Sequence, residues 1–575
     1  MKRKNYWTAV LAAALACLWM VSLGACKKDS GAAVSSSGPR VRGSLPLVDT
    51  KTTISVFLGE SGNANVVSSF AYADNLFTKK VTDDTGIEFN FTIGSIANKR
   101  EQLNVLLSAD NYPEILITDT LGYSELVYYA GQGILKALDE YDPFGYPNIK
   151  SAFDEYPAMN EKLRSNDGKL YALPSVNDCL HCIYSGGRMW YYLPWAQANN
   201  RKMPETLDEF TEYLRFIKNT DINGNGRRDE IPLAFEGKNW LPHFIATLSK
   251  PFMPFVLSGD TYFGLALDNN KVTEQYKDPR FREALKYMTS LYSEGLILAD
   301  SFSMTEDQLR AIATSDTPIL GVLGSPWKNN YTVNPSVRFL EYFELRPLEG
   351  PGGRHANNQD PWSVITGSYF ITDKAKDPEL AVALYDYFIN FDVELDSYIG
   401  PKGVAWEDAS PGTLSILNLP ASHRMLASYG SQPFNATWDQ AAPMIRNKRF
   451  RGGEEASGVP DMVDFLTNNN LSLLEPLLQN MSFTNEGFWY LTSAMNEDWA
   501  LPQSIFIPPL AFNDDDNARI SDINAVLKPY KEQAIVEFIT GRRNINSDSD
   551  WNTYLSELDR NGSAEMAGLI QKYIK

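Results

Sequence analysis

Short apolar stretches of strand character alternate with stretches of helical character from Thr53 onward, and this alternation constrains the fold more than any other feature. TISVFL from Thr53 reads as a strand, Val66 to Asp83 as a helix, and IEFNFTI from Ile87 as a second strand. A helical LNVLLSAD follows, and then EILITD, a third strand ending at Asp119. Strands separated by helical crossovers predict a parallel α/β sheet. In such sheets the ligand crevice lies at the carboxyl ends of the strands, which makes Gly59, Glu60 and Asp119 candidate site residues.

Further along, helices carry their own start signals. Thr206 and Glu209 in TLDE form a capping box ahead of Phe210, Leu214, Phe216 and Ile217. Asp278 with Pro279 starts a helix in which Phe281, Leu285 and Met288 recur at helical spacing until Gly295 stops it. Asp377 with Pro378 starts another, with Leu380, Leu384 and Phe388 on one face. These apolar stripes are expected in the core.

Charge and composition exclude several function classes. The chain carries 52 basic against 71 acidic residues in 575, a balance of −19, so a polyphosphate partner is disfavoured and no nucleic acid is expected. Four cysteines and four histidines are too few for a disulfide-stapled scaffold or a multi-histidine metal centre. H-E-x-x-H, G-x-S-x-G and phosphate-binding glycine loops are missing, so no enzyme is expected. The alternative from another class, a surface glycoside hydrolase or lyase, would need a carboxylate pair that only the fold can reveal.

Lys2, Arg3 and Lys4 precede an uncharged run from Tyr6 to Leu23 and the small pair Gly24 and Ala25, the grammar of a secretory signal over residues 1–25. Leu23-Gly24-Ala25-Cys26 resembles a bacterial lipobox, which implies that Cys26 is diacylated and holds the protein on the extracellular face of the cell membrane. Residues 26–49 are small, polar and proline-punctuated, a composition expected of a flexible tether.

The order of several phrases then resembles the large extracellular solute-binding lipoproteins of ABC importers: SVFL, LLSADNYPEILITD, DGKLYALP from Asp167 to Pro174, PETLDEF, DPELAVALYDYF, GPKGVAW from Gly400 to Trp406 and EFITGRRNINSDSDWNTYL. The likeness runs from about Thr53 to Lys575. It implies a type II periplasmic-binding-protein fold, with two α/β lobes, several crossover strands and a ligand cleft. Lobe 1 is expected to hold 50–172 and 365–430, and lobe 2 to hold 173–364 and 431–575. The implied function is capture of an oligosaccharide, uronic-acid-containing or neutral, by a monomer that hands it to permease subunits. A peptide or other small polar nutrient is the alternative ligand.

The sharpest local signal is DINGNGRRDE. Asp221, Asn223 and Asn225 offer oxygens on alternate residues, Gly226 permits a sharp turn, and Asp229 and Glu230 follow, as a calcium loop requires. Pro232 stands where an EF-hand would carry its twelfth-position glutamate, so the loop is not an EF-hand, although Glu230 at the tenth position could replace it. The spacing resembles the calcium loop of alginate-binding receptors, which implies that Arg227 contributes only its carbonyl and that the calcium is structural. Cys179 and Cys182 form a C-x-x-C without a second pair for zinc, and whether they form a disulfide stays open. Trp327, Trp362, Trp406 and Trp489 stand beside glycine or proline, where indoles can serve as platforms for sugar rings. The resemblance places Trp327 and Trp406, together with Arg188 and Trp190, toward the cleft.

Overall fold

The computed structural model describes residues 41–61, 70–165, 167–178, 187–257, 263–332, 338, 341–356, 365–415, 419–426, 435–455, 496–508, 510 and 512–574. The signal segment, Cys26, Cys179, Cys182, Trp362 and Trp489 lie outside the described residues.

In chain order the strands are β1 (Thr52–Gly59), β2 (Ile87–Gly94), β3 (Ile115–Ile117) and β4 (Leu173–Asn177), then β5 (Met189–Tyr192) and β6 (Ile231–Phe235). The hairpin β7 (Leu265–Asp268) and β8 (Lys271–Glu274), β9 (Leu320–Gly324) and β10 (Tyr342–Glu344) come next. The chain then returns through β11 (Ile365–Ile371), β12 (Trp406–Asp408), β13 (His423–Met425) and β14 (Ile445–Arg446).

Two α/β lobes result, each with its own apolar core. The first is built on a six-stranded sheet ordered β14-β4-β11-β3-β1-β2, the second on a four-stranded sheet ordered β10-β5-β9-β6. The first sheet is mixed rather than purely parallel. β1 runs parallel to β2 and β3, but β11, arriving after the second lobe, inserts antiparallel between β3 and β4.

The first lobe also takes more chain than the phrases suggested. β4 lies past residue 172 yet pairs with β11 and β14, and Val176 is fully buried in the first core. Trp438, Met444 and Phe450, beyond residue 430, are buried in the same core because β14 closes that edge of the sheet.

Local signals account for the helices. Thr206 accepts from Glu209 N while the Glu209 carboxylate accepts from Thr206 N, closing the capping box of helix Leu207–Asn219. Asp278 and Asp377 cap helices Pro279–Ser293 and Pro378–Phe388, whose apolar stripes are buried as the periodicity required. Of the helix expected over Val66–Asp83, residues 66–69 lie outside the described residues; the described part holds a 3₁₀ turn at Tyr72–Asp74 and then an α-helix from Leu76 to Thr85 that Asn75 caps.

Part of the expected tether is docked. Leu47 and Val48 donate their backbone N–H groups to Thr85 O at 3.0 and 3.2 Å, and Arg42 pairs with Asp142 while lying 5.1 Å from the Tyr146 ring centroid. Among the described residues no helix is long and apolar enough to cross a membrane.

Candidate functional site

The strand register brings one edge of each sheet into use. In lobe 1 the carboxyl ends of β1, β3, β4 and β14 meet the amino end of β11, and the loops leaving them enclose a cavity of about 240 Å³. Its polar lining includes Ser61, Asp119, Ser175, Asn177, Gln440 and Arg446.

Asp119 lines this cavity, and beside it Lys99 ties Asp119 to the backbone of Glu60, which is not part of the lining. The Lys99 ammonium lies 2.6 Å from Asp119 Oδ1 and donates to the Glu60 carbonyl at 2.8 Å. The two carboxylates differ in exposure. Glu60 is buried and accepts from Ile96 N at 3.3 Å, whereas the Asp119 side chain is 45% exposed and accepts from Ser61 Oγ at 3.4 Å. Behind them the hydroxyls of Ser175 and Ser368 share a 2.7 Å hydrogen bond, and Ser175 Oγ accepts from Met444 N. A lining of this kind exchanges hydrogen bonds with hydroxyl groups. Ser175, Ser368, Gln440 and Arg446 were missed from sequence. Their only signal is a polar side chain in or beside each of the short segments β4, β11 and β14, and it becomes informative only once β11 and β14 are seen beside β4.

In lobe 2 the corresponding edge gathers Arg188, Glu236, Ser325 and Glu344, each adjoining or ending one strand of the sheet. Arg188 and Glu344 are both buried and form an ion pair at 3.3 Å, and Asn496 donates to Glu344 Oε1 at 2.6 Å. Burial draws the Lys328 ammonium down to about 7, with Glu344 opposing the fall. A cavity of about 30 Å³ beside this network, lined by Arg188, Glu344, Arg346 and His355 among others, has room for about one water.

The tryptophans separate into two kinds. Trp190 is 1% exposed and donates its indole N–H to Ser325 O at 2.8 Å, so it is a strut beneath the edge. Trp406 is likewise 1% exposed, in the first core, with its N–H on Asp396 Oδ1, and it presents no face to a ligand in this structure. Trp327 is half-buried, on a loop pinned where Ser325 Oγ accepts from Trp327 N and donates to Trp327 O.

The loop 221–230 closes on itself, with Gly224 and Gly226 at φ +70° and +81°, a left-handed conformation that glycine adopts without strain. Asp221 accepts from the backbone N–H groups of Asn225 and Gly226, Asn225 Oδ1 accepts from Arg227 N, and Glu230 Oε1 accepts from Ile222 N and Asn223 N. The amide groups of Asn223 and Asn225 donate to Asp229, holding its carboxyl below the usual carboxylate range. Among the described residues no three His, Cys, Asp or Glu side chains are grouped as a metal cluster. Glu230 Oε2, however, is buried with no hydrogen-bond partner among the described residues, the kind of donor atom a hard cation would take.

No protein-family model matches the chain. The fructooligosaccharide ABC transporter substrate-binding protein FusA of Streptococcus pneumoniae serotype 4 is 24% identical over 506 residues, 87% of this chain and 86% of its own. FusA in complex with kestose aligns over 91% of this chain and 99% of that one, with TM-score 0.64 and 21% identity. An HMO-binding solute-binding protein of Bifidobacterium longum infantis aligns over 92% and 99%, with TM-score 0.67 and 19% identity. The chain has the fold of an ABC-importer solute-binding protein. The alginate-binding protein AlgQ2, solved without calcium ion, shares this solute-binding fold with TM-score 0.57 at 15% identity, over 92% of this chain and 99% of that one. FusA has also been solved as an EF-hand mutant.

Proposed function

We propose that this chain is a solute receptor anchored to the extracellular face of the bacterial membrane through Cys26, which captures an oligosaccharide as a monomer and delivers it to the permease subunits of an ABC importer. The observation that carries the reading is the hydroxyl-lined cavity at the carboxyl edge of the lobe 1 sheet, where Asp119 stands exposed beside Ser61. Similarity over 87% of the chain to a fructooligosaccharide-binding protein supports the ligand class. Ligand bridging the two lobes would favour a closed form, by as much as its affinity for that form exceeds its affinity for the open one. Asp119 and Trp327 would meet the sugar, with Glu60, Arg188 and Trp190 holding the edges in place and Trp406 serving the core.

Residues 221–230 would hold a structural calcium ion through Asp221, Asn223, Asn225, Asp229, Glu230 and the Arg227 carbonyl. The Glu230 Oε2 left without a partner among the described residues, together with an EF-hand in FusA and the calcium ion of AlgQ2, two proteins of the same fold, supports this assignment. When bound, the ion would supply charge neutralisation and rigidity to the loop.

Calorimetric titration of the full chain with kestose, oligogalacturonides and a set of short peptides tests the ligand class. Binding of a glycan with a rise in Tm is expected, and peptides binding in place of glycans would refute the sugar reading. Metabolic labelling with palmitate tests the anchor, since Cys26→Ser should abolish the label while the polypeptide is still made.

A further inference from the structure

A second sugar-reading element stands on lobe 2, in a segment not singled out from the sequence. Helix Gly237–Ser249 begins directly after β6, at the edge that also carries Trp327 beyond β9, and β6 and β9 are paired in register as far as Phe235 and Gly324. Glu236, 1% exposed, sits between these two segments. Its Oε1 accepts from the Asn239 amide on the helix, and its Oε2 accepts from Tyr331 OH, at 2.9 Å, on the stretch that follows Trp327. One buried carboxylate therefore fixes the helix start against the Trp327 segment.

Two exposed features result. Asn239 is solvent-exposed, and with its amide nitrogen held by Glu236 its carbonyl oxygen is left as an acceptor. Trp240, next to it, is half-buried and, like Trp499, belongs to none of the apolar cores of the described residues, whereas Trp190, Trp195, Trp406, Trp438 and Trp551 all do and Trp327 packs against one. Its ring is set edge to face against His243, with centroids 4.8 Å apart. Burial, with Lys250 and Lys528 adding to it, draws the His243 imidazole down to about 4, so the neighbour of the indole is uncharged at neutral pH.

A tryptophan left out of the core but held in one orientation, beside an oriented amide, is suited to a neutral sugar ring. The indole covers the C–H face and the amide oxygen accepts from a hydroxyl. We propose that Trp240 and Asn239 form, with Trp327, a saccharide subsite of lobe 2, and that Glu236 is its positioning residue. This rests on the oligosaccharide reading above and adds to it a named specificity element for an uncharged ring.

The test uses the full chain with kestose and a galacturonan tetrasaccharide as probes, measuring Kd by calorimetry and Tm by scanning calorimetry. Trp240→Ala should weaken binding of kestose, the neutral probe, roughly tenfold or more with little change in Tm, and Trp240→Phe should restore most of that affinity. Tighter binding of the charged tetrasaccharide than of kestose by the unaltered chain would overturn the uncharged-ring assignment. Glu236→Gln should weaken kestose binding, and adding Asn239→Ala should then cost little further, since both changes act through one amide. Unchanged affinity in Trp240→Ala overturns the inference and leaves the oligosaccharide reading standing. Unfolding of Trp240→Ala overturns it as well, because the indole would then be core. Failure of the unaltered chain to bind either probe, while it binds peptides, removes the oligosaccharide reading and this inference with it.

Discussion

The indole N–H of Trp406 donates to Asp396 Oδ1 at 3.0 Å inside the first lobe. Burial raises the Asp396 carboxyl above its usual range, while this hydrogen bond and the nearby Lys80 pull it back. Trp406→Ala should therefore destabilise lobe 1 by about 3–5 kcal/mol from the cavity, with a smaller further penalty for the lost hydrogen bond, since Asp396 Oδ1 still accepts from Lys402 N. Scanning calorimetry should show a large fall in Tm, and glycan affinity in the surviving folded fraction should be nearly unchanged. Weakened affinity at unchanged Tm would place Trp406 at the ligand instead.

Asp119 should behave in the opposite way. Its ion pair with Lys99 is partly exposed, so losing it costs under about 1 kcal/mol of stability. A charged acceptor facing a sugar hydroxyl contributes more, about 1.5–3 kcal/mol of binding. Asp119→Ala should thus weaken glycan binding by roughly ten- to a hundredfold in calorimetric titration with Tm nearly constant.

For the loop at 221–230, calcium at 100 times its Kd would stabilise the fold by about 2.7 kcal/mol through mass action. Chelation should lower the Tm of the unaltered chain. Asp221→Ala should lower it more in calcium than in chelator, where only the hydrogen bonds from Asn225 N and Gly226 N are lost, and a variant that loses stability equally in both would sever the loop from the ion.

Lys250 offers a pH dependence. Burial draws its ammonium from the ordinary 10.5 down to about 7, and its Nζ donates to Ala356 O at 2.8 Å. Between these values the unfolded chain keeps a proton that the folded chain has released. The residue's stabilising contribution is therefore complete above 10.5 and is lost as pH falls toward 7. Stability should rise between pH 7 and 9 by up to about 1.4 kcal/mol per pH unit from this group. Lys250→Met should flatten that slope in denaturant titrations, and an unchanged slope would assign it to other groups.

What the sequence disclosed and what it withheld divide along range of interaction. Capping boxes, strand alternation and the DINGNGRRDE spacing are local, and each could be read before any coordinates because its cause lies within a dozen residues. The antiparallel insertion of β11 and the closing of the sheet by β14 depend on pairings far apart in the chain, as does the Ser175–Ser368 hydroxyl pair, 193 residues apart. A tryptophan in GVAW looks the same whether it faces a ligand or a buried aspartate. Trp240 escaped notice because its sequence neighbours look like those of any helical tryptophan, and what marks it is its place outside the cores at the edge of the second sheet.

The docking of Arg42 and Val48 onto lobe 1 has a mechanical consequence. Tension arriving from residues upstream meets the Arg42–Asp142 pair and the two hydrogen bonds to Thr85 before it reaches β1. If the chain is moored through this segment, as proposed, it would hang by lobe 1, and lobe 2 would be the half that moves when a ligand is gripped. The hand-over partner would then always meet the same stationary half.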